Sequence, residues 1–152
     1  MSEYNFVTKF VSCYIRQNGL NSAIQPKGKN QSKNADCEVV RNNEIIMIEA
    51  KLLKDNRSNS THFYNLVGEL IGTSHKGSLL QNNGYTTYQK CGAFLIPSDS
   101  KTVFDDLWQK NISPNNGINY CNDFAVKYLI LFDMHNGAIK FLSYCTVNNR
   151  WV

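Results

Sequence analysis

Residues 34–55 read NADCEVVRNNEIIMIEAKLLKD. Two runs rich in apolar and β-branched residues, 36–41 and 44–53, flank the pair Asn42-Asn43. Asparagine tolerates the positive φ that a two-residue hairpin turn requires. The pattern therefore predicts a β-hairpin with its turn at this asparagine pair.

The predicted register places acidic side chains opposite one another. With the turn at Asn42-Asn43, paired residue numbers sum to 85, so Asp36 faces Glu49. Opposed residues have Cβ atoms about 4.5–5.5 Å apart, and like charges so placed destabilise a sheet unless a cation lies between them. Lys51 follows two residues later on the same face. The hairpin thus gathers two carboxylates and one lysine.

A divalent metal resolves this conflict of charge. Mg²⁺ takes hard oxygen ligands from one or two carboxylates and completes its shell with water and phosphate oxygens. Such an ion polarises a phosphate and helps to generate hydroxide. Lys51 would orient or deprotonate the attacking water, or stabilise charge on phosphorus. The competing interpretation is a solvated hairpin face with a surface salt bridge, but the apolar run before Glu49 favours a partly buried site.

Asp36 followed by Glu49-Ala50-Lys51 at the end of an apolar strand resembles the signature of the PD-(D/E)xK nuclease superfamily. The motif's proline is Ala35 in this chain. The layout of residues 3–55 is similar to archaeal Holliday-junction resolvases, which also begin with an amphipathic helix and a basic loop.

The resemblance implies a restriction-endonuclease-like core in which Asp36 and Glu49 bind the metal and Lys51 is the catalytic lysine. It also implies that Glu3 corresponds to an acid on the first helix that assists the metal site. A plain helix-start acid is the alternative for Glu3. Glu69 is the candidate for a later acid on the long helix, with a solvated helix face as its alternative.

The rest of the chain supplies further elements by periodicity and turn chemistry. We predict helices over 3–17 (capped by Ser2 and stopped by Gly19), 62–73 (capped by Ser60 or Thr61) and 100–111, and strands over 20–25, 91–97, 126–133 and 138–147. Asn136-Gly137 predicts a turn between the last two strands, and 74–90 is left irregular. This order predicts an α/β (α+β) domain with a mixed central sheet flanked by helices.

Composition is that of an ordinary globular protein, with 42% hydrophobic and 18% charged residues. The net charge is +4, and residues 1–35 carry five basic residues against one acid, which gives 5 − 1 = +4. Lys27, Lys29 and Lys33 precede the hairpin in a polar loop, where they are candidates for DNA phosphate contacts.

Five scattered cysteines without a Cys-x-x-Cys pair argue against disulfides and zinc, and predict buried, reduced thiols. The N-terminal sequence lacks the features of a signal peptide, and the apolar runs are too short to span a membrane. We therefore expect a cytoplasmic protein with no membrane partner.

These observations predict a single nuclease domain over 1–152 that hydrolyses DNA as a Mg²⁺-dependent endonuclease, with Mn²⁺ as a substitute. So small an enzyme, acting on two strands, is expected to be a homo-oligomer of two or more copies. The closest layout is a structure-selective, Holliday-junction resolvase-like enzyme. The alternatives are a sequence-specific restriction or intron-encoded homing endonuclease, and a catalytically inactive nucleic-acid-binding module.

Overall fold

The computed structural model describes residues 2–24, 26, 35–53, 59–74, 77–112, 117–123 and 126–152. Short turns of 3-10 helix cover Leu20–Ser22 and Ser98–Ser100. The α-helices of these ranges are Glu3–Asn18 (α1), Asn59–Ser74 (α2), Leu79–Asn82 (α3), Lys101–Asn111 (α4) and Gly117–Asp123 (α5).

The strands form one large sheet and one small one. They are Cys37–Arg41 (β1), Glu44–Ala50 (β2), Gln89–Pro97 (β3), Val126–Phe132 (β4), Ile139–Leu142 (β5), Tyr144–Cys145 (β6) and Arg150–Trp151 (β7). The large sheet has the order β1-β2-β3-β4-β5, and β6 pairs with β7. Pairing is parallel for β2-β3 and β3-β4, and antiparallel for β1-β2 and β4-β5. The predicted mixed sheet flanked by helices is confirmed.

The first helix begins and ends where its sequence predicts. The Ser2 hydroxyl accepts a hydrogen bond from the Asn5 N–H at 3.1 Å, which satisfies one of the free donors of the first turn. Gly19 has φ 97° and donates its N–H to the Ile15 carbonyl at 2.7 Å. A positive φ at this position costs glycine little, so the chain leaves the helix here.

The central strands are buried on both faces, as the apolar run over 91–97 predicts. Ala93 and Leu95 of β3 pack on the side of α1, whereas Phe94 and Ile96 pack on the side of α2 and α4. The connections between the parallel strands contain helices, because parallel neighbours need a long crossover.

Two helical layers enclose the sheet. On one face α1 contributes Phe6, Phe10 and Tyr14, which pack against β2, β3 and β4. On the other face α2 and α4 form an aromatic core with the C-terminal strands. The buried aromatic side chains of that core are Phe63, Phe94, Phe104, Trp108 and Trp151.

Two local predictions ahead of and behind the hairpin are wrong. Residues 20–24 do not form a strand: after Gly19 the chain makes a 3-10 turn, and Ala23 forms a single bridge with Val39, while residue 25 lies outside the described residues. The second helix begins at Asn59, before the predicted caps at Ser60 or Thr61. These ends depend on tertiary contacts with β1 and the sheet, which local sequence does not encode.

The region predicted as irregular contains both a helix and a strand start. Ser78 caps α3 by accepting a hydrogen bond from the Gln81 N–H at 3.2 Å, and β3 begins at Gln89. The predicted strand 138–147 is interrupted at Ser143, whose backbone pairs with Val152 in both directions at 2.9 Å. The helix α5 has no counterpart among the predictions.

All five cysteines are free thiols, with Cys13, Cys37 and Cys91 buried and the other two half-buried. The prediction of reduced thiols is thus consistent with the fold. No helix within the described ranges is long and apolar enough to cross a bilayer.

Candidate functional site

The site is built on the hairpin, whose register is the predicted one. The pairs run from Arg41–Glu44 at the turn to Cys37–Ile48, with paired numbers that sum to 85 throughout. Asn42 and Asn43 have φ 52° and 63°, as a type I′ turn requires. Beyond this pair, the next residues along the two segments are Asp36, just before β1, and Glu49, within β2.

Asp36 lies one residue before β1 and is half-buried. Its Oδ2 accepts a hydrogen bond of 2.8 Å from the Ala50 N–H. The carboxylate therefore takes the place that a backbone carbonyl would have if the strand pairing continued. This bond fixes one oxygen of Asp36 at the carboxyl end of β2.

Glu49 is the penultimate residue of β2 and has 4% of its surface exposed. Ile48 and Ala50 on either side of it pack in the core under α1, so Glu49 belongs to the opposite face of the sheet. It also lies beside Phe94 in the parallel register with β3. Burying a carboxylate this deeply costs free energy unless its charge is compensated.

Lys51 directly follows β2 and continues along β3. Its N–H donates to the Leu95 carbonyl at 3.0 Å. Its Nζ lies 3.9 Å from the Glu3 Oε2, and the two side chains are 19% and 38% exposed respectively. The lysine head is thus held beside an acid from the start of α1.

Glu3 also touches the backbone of this segment. Its Oε2 accepts a hydrogen bond of 3.4 Å from the Leu52 N–H. Burial raises the pKa of Glu3, the charge of Lys51 opposes that rise, and the charge of Asp36 adds to it. The charges of Lys51 and Asp36 therefore both act on the pKa of Glu3, although Glu3 belongs to a different element, α1.

The second helix contributes another acid to the same region. Burial raises the pKa of Glu69, and the charge of Asp36 raises it further while Lys51 opposes the rise. The side chain remains open to solvent. The sequence alone left Glu69 undecided between the site and a solvated helix face.

The thiol of Cys37 gives a further measure of the negative charge at this end of the hairpin. Burial raises its pKa well above the ordinary value of 9.0, and the charges of Asp36, Glu49 and Glu38 raise it further. The thiol stays protonated, so Cys37 is a core residue and not a nucleophile.

The other two acids of the hairpin have structural partners. Glu38, which is 1% exposed, accepts hydrogen bonds from the Ser78 hydroxyl and from the Leu79 N–H at 3.0 Å. Glu44 accepts from Lys127 Nζ at 2.5 Å and from the Tyr128 hydroxyl at 2.8 Å, at the opposite end of β2. Glu38 and Glu44 therefore each make contacts that stabilise the fold.

The donor set at the end of β2 fits a hard divalent cation. In the described part of the chain no group of three or more His, Cys, Asp or Glu side chains is arranged to hold a metal. The carboxylates of Asp36 and Glu49 would together form a two-ligand set, and Mg²⁺ commonly binds to one or two carboxylates while keeping several waters. Such a set leaves room for a phosphate oxygen.

The remaining predicted site residues are Lys27, Lys29 and Lys33, which lie outside the described residues. His135 is exposed in the turn between β4 and β5, where its N–H donates to Asp133 Oδ1 at 2.9 Å. It therefore takes no part in the arrangement at the end of β2.

No protein-family model matches the sequence, and no curated protein matches it. A crystal structure of an XisH family protein from Nostoc punctiforme is similar, with a TM-score of 0.50. The alignment covers 89% of this chain and 97% of that protein, at 14% sequence identity. A likeness at this identity shows a shared fold.

Proposed function

We propose that the chain is a Mg²⁺-dependent DNA endonuclease whose single domain spans 1–152. The observation that supports this proposal is the hairpin register, whose last pair, Cys37 and Ile48, is adjacent in sequence to Asp36 and to the buried Glu49, with Lys51 two residues beyond Glu49. Residues of this type at this spacing suit the hydrolysis of a phosphodiester.

In the proposed site Asp36 and Glu49 hold the cation through carboxylate oxygens, and Mn²⁺ substitutes for Mg²⁺. The bound ion supplies Lewis acidity to the scissile phosphate and acidity to a bound water. Asp36 is held in place by the Ala50 N–H, and Glu49 by its position within a central strand. Rigid placement of this kind lowers the cost of ordering the reacting groups.

Lys51 acts on the phosphate and the attacking water. In the proposed step the water oxygen forms a bond to phosphorus while one ester P–O bond breaks in line. The water gives up a proton to solvent, and the leaving oxygen takes one. The ammonium of Lys51 orients the water and stabilises the negative charge on the phosphoryl oxygens.

The proposed substrate is DNA, and Lys27, Lys29 and Lys33 are proposed to contact its phosphates. Cleavage of two strands is proposed to use a homo-oligomer of two or more copies. A branched junction is the proposed target, because the layout of residues 3–55 is similar to that of archaeal Holliday-junction resolvases.

The test is cleavage of three labelled substrates, namely mixed-sequence duplex, single strand and an immobile four-way junction, in Mg²⁺ and in EDTA. We expect metal-dependent cutting of the junction that Lys51→Ala reduces to a small residual rate. Cutting at one duplex site would instead indicate a restriction or homing enzyme. Binding of DNA without cutting, together with no effect of metal, would indicate an inactive binding module.

A further inference from the structure

Glu3 links the N-terminus of α1 to the segment that follows β2. One oxygen, Oε2, makes both contacts: it lies 3.9 Å from the Lys51 Nζ and accepts a 3.4 Å hydrogen bond from the Leu52 N–H. The partners are about fifty positions away in the sequence, so only the fold brings them together.

We propose that Glu3 is a positioning residue that holds Lys51, and that it acts through the lysine and not as a metal ligand. The inference rests on the proposed nuclease function and assigns a role to a residue within that site. It differs from the role that the sequence resemblance implies for Glu3, which is assistance to the metal.

The need for such a residue follows from the chemistry of lysine. Its ammonium sits on a flexible four-carbon stem, and fixing that stem costs rotamer entropy. A carboxylate on a rigid element reduces this cost at the moment of reaction. Glu3 is on a rigid element, because Ser2 caps α1 and the neighbouring Phe6 is fully buried.

The contacts of Glu3 also argue against a ligand role. Its Oε2 is already shared between the Lys51 ammonium and the Leu52 N–H, both of which are donors that compete with a cation. Within the described residues Glu3 does not join Asp36 and Glu49 in a three-carboxylate group that could hold a metal. The geometry therefore directs Glu3 towards the lysine.

The experiment separates the two roles by the amount of metal that the enzyme needs. Glu3→Gln keeps an oxygen that accepts from Leu52 but removes the charge that pairs with Lys51. We expect the kcat for cleavage to fall roughly 10-fold or more. The Mg²⁺ concentration for half-maximal rate, and the rise in melting temperature caused by Ca²⁺, should stay as in the unmodified protein.

A double mutant identifies the path of the effect. If Glu3 acts through the lysine, Glu3→Gln should add nothing to the loss caused by Lys51→Ala. Glu44→Gln is the matched control, since it also breaks a glutamate–lysine pair, with Lys127, at the other end of β2. It should leave kcat unchanged at a temperature where both variants are folded.

Three results would overturn the inference. A several-fold higher Mg²⁺ requirement or a lost Ca²⁺ shift in Glu3→Gln would make Glu3 a ligand. Full additivity with Lys51→Ala would show that it acts elsewhere. Absence of both cleavage and a Ca²⁺ shift in the unmodified protein would refute the proposed function and the inference with it, and is recognised without any variant.

Discussion

The carboxylate of Asp36 accepts a 2.8 Å hydrogen bond from the backbone N–H of Ala50. Ala50 is the last residue of β2, and Asp36 is the residue before β1, so a side chain completes the pairing where the backbone ladder stops. The same bond holds the carboxylate of Asp36 at the residue that directly follows Glu49. The sheet thus determines the geometry of the proposed metal ligands.

The turn that sets this register should be sensitive to side chains that disfavour positive φ. Asn43 has φ 63°, so Asn43→Ala should lower the free energy of unfolding by about 1 kcal/mol. Asn43→Gly should leave the free energy of unfolding unchanged or raise it slightly. Urea unfolding measures both. Asn83→Ala, at an exposed position with φ −97°, is the control and should change little. Equal stability of the Asn43→Ala variant and the unmodified protein would contradict this prediction.

The buried carboxylate of Glu38 should contribute to stability through the start of α3. Glu38→Ala removes the acceptor of the Ser78 hydroxyl and the Leu79 N–H, which leaves buried donors without a partner. We expect a loss of about 2–4 kcal/mol in the free energy of unfolding, and about 1 kcal/mol for Ser78→Ala. Faster amide exchange at Leu79 and Leu80 should accompany it. Unchanged exchange at these amides would show that α3 is held by other contacts.

The acid on α2 should give a pH-dependent effect on stability in EDTA. Burial and the Asp36 charge raise the pKa of Glu69 above 4.5, so the folded state binds this proton more tightly than the unfolded state. Stability is therefore gained as pH falls through the raised pKa, and the ionised form destabilises at neutral pH. Glu69→Gln should be more stable than the unmodified protein at pH 7, by less than about 1 kcal/mol because the side chain is exposed.

The higher stability of Glu69→Gln relative to the unmodified protein should vanish at about pH 4 and below, where Glu69 is protonated in both the folded and the unfolded state. The opposite change in stability is expected for Glu44→Gln, which should be less stable than the unmodified protein at pH 7. Burial alone would raise the pKa of Glu44, but hydrogen bonds from Lys127 and Tyr128 outweigh it and lower the pKa. The stability that Glu44 contributes is present above its unfolded pKa and is lost as pH falls through the lowered one. A Glu69→Gln variant less stable at pH 7 would show that Glu69 has a favourable partner.

The C-terminal strand should stabilise the protein through Trp151. Its indole is fully buried, and its ring centroid lies 5.2 Å from that of Trp108 in an edge-to-face arrangement, so Trp151 is a core residue. Its Nε1 has no hydrogen-bond partner in the described part of the chain. Trp151→Phe should therefore cost less than about 1.5 kcal/mol, and Trp151→Ala about 3–5 kcal/mol, by urea unfolding. Similar losses for both would indicate that the indole N–H is bonded.

Local chemistry was sufficient to predict the hairpin, the first helix and the central strand of the sheet. The Asn42-Asn43 turn, the Ser2 cap and the apolar run of β3 are each encoded within a few neighbouring residues. From the turn, the register and the facing of Asp36 and Glu49 follow by counting.

The contacts between distant residues could not be predicted in this way. Glu3 meets Lys51 and Glu38 meets Ser78 across about 40 to 50 positions, and neither pairing leaves a periodic pattern in the sequence. The break of the last strand at Ser143 depends on pairing with Val152, which is also set by tertiary packing. Sequence reasoning thus predicted the hairpin register but not these long-range contacts.

We propose that Asp36 and Glu49 hold a divalent cation. Thermal unfolding with and without metal tests this binding directly, because the measurement needs no knowledge of the DNA target. At a free Mg²⁺ or Mn²⁺ concentration about ten times the dissociation constant, binding should stabilise the folded state by about 1.4 kcal/mol. That corresponds to a rise in melting temperature of roughly 3–5 °C. Asp36→Asn keeps an acceptor for the Ala50 N–H and should show no metal-induced rise in melting temperature. A melting temperature of the unmodified protein that does not change with metal, or an equal rise in the variant, would contradict cation binding by Asp36 and Glu49.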